Sequence, residues 1–336
     1  MKKPISKPIL SIKVKLPRGR LIAGAAAALL LAGGFFWSGQ PEGFSTQPLA
    51  VVSAMAGSNQ TESLQQRVQA LAAQYDAKPI DAHNDRVWKG IPGLNGIKID
   101  VDATVRKTEK VNDGRIQLVA EQIPPKVSLD DLGPVPIYRG NAEKKQMALM
   151  INVAWGTEYI EEILKTLDEY GVKATFFLDG SWTADNPAVA KEIVARGHEV
   201  GNHAYTHPDM SKLNAGSQQS QISRTNQAIQ KATGVTPKLF GPPSGAYNDT
   251  TVKTAYGQKM RTILWTLDTI DWKKPPASDI SNRVLSRAEN GALVLMHPTA
   301  PTRDALRTIL QGLQKKGYGL VTVSQLLDPV RPLPTP

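Results

Sequence analysis

The apolar positions along this chain fall into three regimes. Residues 21–37 form an unbroken run, LIAGAAAALLLAGGFFW, without one charge. Between residues 64 and 145 the pattern is mixed. Leu64, Val68 and Leu71 mark one helical face, Ile97, Ile99 and Val101 alternate as in a strand, and Asn112-Asp113-Gly114 predicts a hairpin turn into residues 115–120. From Met147 onward, short apolar segments alternate with amphipathic ones. Strands are expected at 147–153, 174–178, 262–265, 292–296 and 320–323. Helices are expected where Ile160, Ile163, Leu164 and Leu167, and later Leu306, Ile309, Leu310 and Leu313, recur at i, i+3, i+4 and i+7. Gly171 stops the first of these, and Asn186-Pro187 opens another that Gly197 ends. This alternation predicts an α/β fold of βα repeats, in which functional groups gather on the loops after the C-terminal ends of the strands.

Charge changes the picture at the N-terminus. The chain carries 40 Lys and Arg against 30 Asp and Glu, a net +10 that by itself suggests a nucleic-acid binder. Seven of those cations lie in the first twenty residues with no acid among them, which leaves 33 against 30, or +3, for the rest. No basic stripe for phosphates remains, and nucleic acid is not expected as a partner. The cations ahead of the apolar run predict a basic cytoplasmic tail (1–20), a signal-anchor or transmembrane segment (21–37) and a body outside the cell membrane. Ala54-Met55-Ala56, the A-x-A-like cleavage site, lies far beyond the run, which favours a single-pass anchor that is not removed. Residues 38–63 read as a linker, 64–145 as a small α+β domain that names no function, 146–327 as the main domain, and the prolines of 328–336 as a disordered tail. Without cysteine, no disulfide framework supports the fold.

Of five histidines, His203 and His207 stand four residues apart in Gly-His-Glu-Val-Gly-Asn-His-Ala-Tyr-Thr-His. On one helical turn this spacing aims both imidazoles at one point, as zinc or a similar divalent ion requires, although two surface histidines on a loop show it as well. His83 reads as structural. The pair needs a third ligand.

Several ordered motifs between residues 147 and 327 resemble the polysaccharide deacetylase family (NodB homology, carbohydrate esterase family 4). The resemblance implies a distorted (β/α) barrel, here preceded by a membrane-anchor helix and the small α+β domain. It maps His203 and His207 onto the family's metal ligands, Leu295-Met296-His297 onto its LxH motif, Asp268-Thr-Ile-Asp271-Trp272 onto DxxDW, and Gly241-Pro242-Pro243-Ser244-Gly245 onto RPPYG. The implied chemistry is hydrolysis of the C–N bond of an N-acetylated amino sugar in peptidoglycan or a chitin-like glycan. A divalent metal, zinc, polarises water and the acetyl carbonyl, an aspartate takes the water's proton, and His297 protonates the leaving amine. Asp268 is expected to hold His297, although a loop carboxylate there also caps turns. Trp272, Pro243, Ser244 and Asp271 are expected to line the sugar site.

The first family motif, TFDDG, supplies the base and the third metal ligand, and here it is altered. A gapless register places Asn152 and Val153 on the two aspartates, and a register two residues on places Ala154 and Trp155 there. Neither pair has a carboxylate. Asn152, in place of the base, does not accept a proton near neutral pH, and Gly241 replaces the arginine that steadies the base in the family. Together with the anchor and the small domain, these changes resemble the YlxY-type, sporulation-associated deacetylase-like proteins. Three alternatives stand: a catalytically lost homologue that binds glycan, a working metal-dependent deacetylase rebuilt around Asp179 of Phe-Phe-Leu-Asp-Gly, and an envelope scaffold with an inert barrel. A metal is expected only if a third ligand exists. Asp179 also reads as a helix-entry residue ahead of Gly180.

Overall fold

The computed structural model describes residues 10–15 and 63–332. The predicted anchor at 21–37 lies outside the described residues, and among those described no helix is long and apolar enough to cross a membrane. The first elements in chain order are β1 (Leu10–Lys15), α1 (Leu64–Tyr75), β2 (His83–Asp85), β3 (Lys89–Ile91), β4 (Gly96–Ile99), α2 (Val101–Val111) and β5 (Arg115–Ile123). Two compact units divide the described chain: 10–15, 63–74 and 99–119 in one, and 75–98 and 120–332 in the other.

In the smaller unit the expected hairpin is absent. The alternation that starts at Ile97 ends at Asp100, whose carboxylate accepts the Ala103 N–H at 2.8 Å and so starts α2. Asn112 then adopts φ 44° and ψ 40° and closes that helix with its N–H on the Thr108 carbonyl. Asn-Asp-Gly is therefore a helix stop, since asparagine tolerates the left-handed region that a helix C-terminus and a tight hairpin both require. Thr104 and Thr108 fasten the helix to β5 by accepting the Val119 and Gln117 N–H groups at 2.9 Å.

The larger unit carries the βα repeats. Strand β6 (Gln146–Val153) leads into α3 (Thr157–Glu169), then come β7 (Thr175–Leu178), α4 (Gly180–Asp185), α5 (Pro187–Ala195), β8 (Glu199–Asn202), α6 (Ala215–Thr233), β9 (Leu239–Phe240), α7 (Asp249–Gly257) and β10 (Arg261–Thr262). The chain finishes with β11 (Leu267–Asp268), α8 (Ala277–Ser286), β12 (Leu293–Met296), α9 (Ala300–Lys315), β13 (Gly319–Val321) and α10 (Val323–Leu327). The strands pair in parallel in the order β10-β9-β8-β7-β6-β12-β11, with β13 also on β6. Between the two edges, Ile137 bridges to Ile263 and Arg139 to Ala292. The result is an incompletely closed, curled parallel sheet, in keeping with the expected distorted barrel.

Side chains alternate across β6. Met147, Leu149, Ile151 and Val153 join the outer core with Ile160, Ile163, Leu164 and Leu167 of α3 and Leu306, Ile309, Leu310 and Leu313 of α9. Ala148 and Met150 face inward with Phe177, Ile263 and Leu293. Each fully buried Leu or Ile contributes on the order of 1.5–3 kcal/mol, so these two apolar layers set the register of β6. The predicted strand at 262–265 is shorter than expected, because its last residues leave the sheet. Strands β8, β9 and β11 were not anticipated; two of them are only two residues long.

The start of the expected disordered tail is pinned. Lys144, 2% exposed, caps the end of α10 by donating to the carbonyls of Gln325, Leu326 and Asp328. Arg331 exchanges hydrogen bonds with Gln122 and donates to the Asn95 carbonyl at 2.9 Å. A proline-rich strand cannot build its own ladder, but its carbonyls remain available to neighbours.

His198 is a buried histidine outside the sheet's inner face. Its Nδ1 accepts the Ala174 N–H at 3.1 Å, while Nε2 is buried without a partner. Burial, followed by repulsion from Lys173, pushes its pKa down to about 4 from 6.5. The unfolded chain thus binds more protons than the folded one between those values. Stability from neutral His198 is complete above pH 6.5 and is lost as pH falls toward 4, with a slope of up to about 1.4 kcal/mol per pH unit. Urea titrations across this window show a flatter pH dependence for His198→Gln than for wild type; parallel curves overturn this assignment.

Candidate functional site

Each central strand delivers a site residue at its C-terminal end: Ala154 and Trp155 follow β6, Asp179 follows β7, His203 follows β8, Gly241 follows β9, Asp268 ends β11 and His297 follows β12. Seven of the residues singled out in the sequence, Asn152, His203, His207, Ser244, Asp268, Trp272 and His297, line one cavity of about 400 Å³. Pro243, Asp179 and Asp271 do not line it. Pro243 is buried in a short turn, which removes it as a substrate contact.

The histidine pair is not on a helix. Strand β8 ends at Asn202, whose side chain accepts the Ala204 N–H and donates to the Ile222 carbonyl and to Asn226. Ala204 and His207 then take φ of 58° and 52°, and this turn folds the rings to a centroid distance of 5.1 Å in an edge-to-face pair. The backbone turn, not helical periodicity, brings the two imidazoles together. His203 is 1% exposed and donates Nδ1–H to the Gly241 carbonyl at 2.7 Å, which leaves Nε2 as its lone-pair nitrogen. Burial, then repulsion by His207, pushes its pKa down to about 3. Gly241 thus retains a role through its backbone. A Cβ there would meet Phe177 at 2.9 Å.

His297 is held by Asp271, not by Asp268 as expected. Asp271 is 0% exposed; its Oδ1 accepts His297 Nδ1–H at 2.8 Å, and its Oδ2 accepts the His297 backbone N–H at 2.5 Å and the Thr302 hydroxyl at 2.6 Å. A carboxylate so enclosed cannot touch a sugar, so Asp271 is a positioning residue rather than a substrate contact. Asp268 turns its Oδ1 onto the Ile270 N–H at 2.8 Å and faces the cavity. The order of the two aspartates along the motif gave no hint of which one lies beneath the imidazole.

The first-motif positions resolve by the alternation in β6. Asn152 continues the inward face of Ala148 and Met150, whereas Val153 is 0% exposed in the outer core. Ala154 and Trp155 line the cavity, and the Trp155 ring stacks on His297 at 5.8 Å and 7°. Asn152 of the gapless register and both residues of the register two on thus face the site, with an amide, a methyl and an indole, whereas Val153 does not. The Asn152 amide oxygen is buried without a partner.

Asp179 serves as a helix entry. Its Oδ1 accepts Ser181 Oγ–H at 2.6 Å and the Trp182 N–H at 3.0 Å, while its Oδ2 is buried with no partner. Burial raises its pKa, against the lowering effect of those hydrogen bonds. Among the described residues, no three His, Cys, Asp or Glu side chains are grouped to hold a metal ion. The donor set at His203 and His207 does not fit a three-ligand metal centre.

Sequence reasoning missed Trp265 and Leu295 as lining residues and reached Ala154 and Trp155 only through the register two residues on. Trp155 and Trp265 each follow a strand end, and that position was the available signal. A Cβ on Gly245, at φ 67°, would lie 2.7 Å from Trp265, so this glycine lets the indole sit against the turn that carries Ser244.

Residues 139–263 match the polysaccharide deacetylase family. The chain is 46% identical over 261 residues to the uncharacterised protein YlxY of Bacillus subtilis, covering 77% of this chain and 82% of that one. It is 34% identical to a peptidoglycan-N-acetylglucosamine deacetylase of Bacillus cereus, over 57% of this chain and 71% of the relative. Among solved structures it superposes on a carbohydrate esterase family 4 pseudoenzyme from Bacillus anthracis with a TM-score of 0.75 at 43% identity, covering 80% of this chain and 96% of that one. A mutant of that pseudoenzyme, described as having restored enzymatic activity, matches with the same TM-score at 42% identity over 80% of this chain and 99% of the mutant.

Proposed function

This chain belongs to the polysaccharide deacetylase family, and from that premise we propose that it is a catalytically silent member that binds an amino-sugar glycan of the peptidoglycan type in its inherited cavity. The observation that carries the reading is the exchange at the end of β6, where the cavity-facing residues are Asn152, Ala154 and Trp155. None supplies a carboxylate to take a proton from water or to ligate a metal. Losing a general base alone lowers a rate by about 10²–10⁴, and two imidazoles without a third ligand are a poor zinc site.

The same exchange favours binding. Trp155 is 43% and Trp272 50% exposed, and Trp265 joins them on the cavity wall. Exposed indoles in a concave site offer flat apolar faces to the C–H faces of pyranose rings, with N–H groups for their hydroxyls. The relatives named as peptidoglycan deacetylases support a glycan of that class. The cations of 1–20 and the apolar segment 21–37 support an anchored body on the outer side of the cell membrane.

Retention of the protein on purified peptidoglycan glycan strands tests this reading. Trp272→Ala with His203→Ala weakens retention by about 30-fold or more, as expected for two contacts of about 1–2 kcal/mol each. Full retention by that variant contradicts the reading and supports an envelope scaffold with an inert cavity.

A further inference from the structure

The proposed cavity carries an unusual balance of hydrogen-bonding groups. His203 commits Nδ1–H to the Gly241 carbonyl and His297 commits Nδ1–H to Asp271, so in the neutral form of either ring the lone pair is on Nε2. Asp268 adds a carboxylate to the same wall, with Oδ1 on the Ile270 N–H. No Lys or Arg is among the cavity's lining residues. Three tryptophans complete it, and an indole face attracts cations. Lys273 already places Nζ 4.9 Å from the Trp272 centroid.

An acetamido group offers the Asp268 carboxylate no cation. Its carbonyl oxygen finds only the neutral donors of Asn152, Ser244 and the indoles, with no Lys or Arg on the wall. A primary ammonium has three N–H donors and no acceptor, which matches two imidazole lone pairs and a carboxylate beside aromatic faces. Resting on the glycan-binding reading above, we propose that the cavity selects the free amine: it takes a glycan bearing a protonated 2-amino sugar in preference to its N-acetylated form. Its ligand is thus the product of acetamide hydrolysis on amino sugars. Loss of the metal ligand and gain of an indole at Trp155 convert a site for cleaving the acetyl group into one that recognises its absence.

Calorimetry with a glucosamine tetramer, and with the same tetramer chemically re-N-acetylated, tests the proposal on the full chain. The free-amine tetramer binds about tenfold tighter or better, the size expected of a partly desolvated ion pair with aromatic neighbours. In Asp268→Asn, which retains the acceptor for the Ile270 N–H, the ratio of the two affinities falls to near one. In Lys273→Ala, which removes a competing cation from Trp272, the ratio rises. Equal or tighter binding of the acetylated tetramer overturns the amine selectivity while leaving glycan binding in place. Binding of neither tetramer removes the underlying reading as well.

Discussion

In a protein carrying Ala154→Asp and Trp155→Asp, zinc binds at one ion per chain with micromolar affinity or tighter, and acetate release from an N-acetylated chito-oligosaccharide becomes measurable. The two positions are the cavity-facing pair after β6. Across the cavity, His203 is already oriented by the Gly241 carbonyl, and the β8 turn folds His207 against it. A carboxylate at 155 supplies the third ligand, and one at 154 a base. Micromolar affinity corresponds to about 8 kcal/mol of binding free energy, a large change from a site with two ligands. His297, the acid that the family resemblance implies, is held in place by Asp271. Trp155→Asp alone restores metal without comparable turnover. Asp at Val153, by contrast, places a carboxylate in the outer core, and the protein unfolds readily instead of gaining zinc. Should Val153→Asp gain the metal and Trp155→Asp fail to, the third-ligand position is 153 and not 155. The mutant of the Bacillus anthracis pseudoenzyme described as having restored activity shows that a similar fold can regain catalysis.

Asp271→Ala destabilises the protein by about 3–5 kcal/mol, the cost of leaving buried charged or polar partners unpaired. One buried carboxylate accepts three hydrogen bonds, from the His297 ring, the His297 backbone and the Thr302 hydroxyl on α9. Its removal takes the acceptor from the buried Thr302 hydroxyl and from two donors of the half-buried His297, and frees the His297 ring. Asp268→Ala, which loses one bond to the Ile270 N–H at the cavity rim, costs about 1 kcal/mol. Urea unfolding of the two variants separates them by at least about 2 kcal/mol in this order. The reverse order contradicts the assignment of Asp271 as the residue that holds His297.

The helices α3 and α9 were legible from Ile160, Ile163, Leu164 and Leu167 and from the matching stripe in 306–313, because burial of one face at a 3.6-residue period leaves a repeated trace. Strands β9 and β11, two residues each, are too short for any periodicity to register. Asn112-Asp113-Gly114 misled because a left-handed residue serves a hairpin and a helix end alike; only the pattern before it distinguishes them, and the helix of 101–111 is polar on most of its surface. That His203, His207 and His297 share one cavity was legible through their motifs. Which aspartate lies under His297 was not, since two carboxylates three residues apart differ only in burial, a tertiary property. The choice between Val153 and Trp155 also required the structure, because Val153 ends β6 and packs in the outer core while Trp155, beyond the strand, lines the cavity.

The most direct test of the account is a zinc titration of the wild-type chain by calorimetry, with His203→Ala/His207→Ala as the blank and Asp179→Ala alongside. The account predicts no heat beyond the blank at micromolar zinc, as expected for two imidazoles with no third ligand and for a neighbouring carboxylate committed to capping α4. One ion per chain at micromolar affinity, abolished in the double histidine variant and weakened in Asp179→Ala, would contradict it. That outcome would make Asp179 the missing ligand and the protein a working deacetylase with a rebuilt centre.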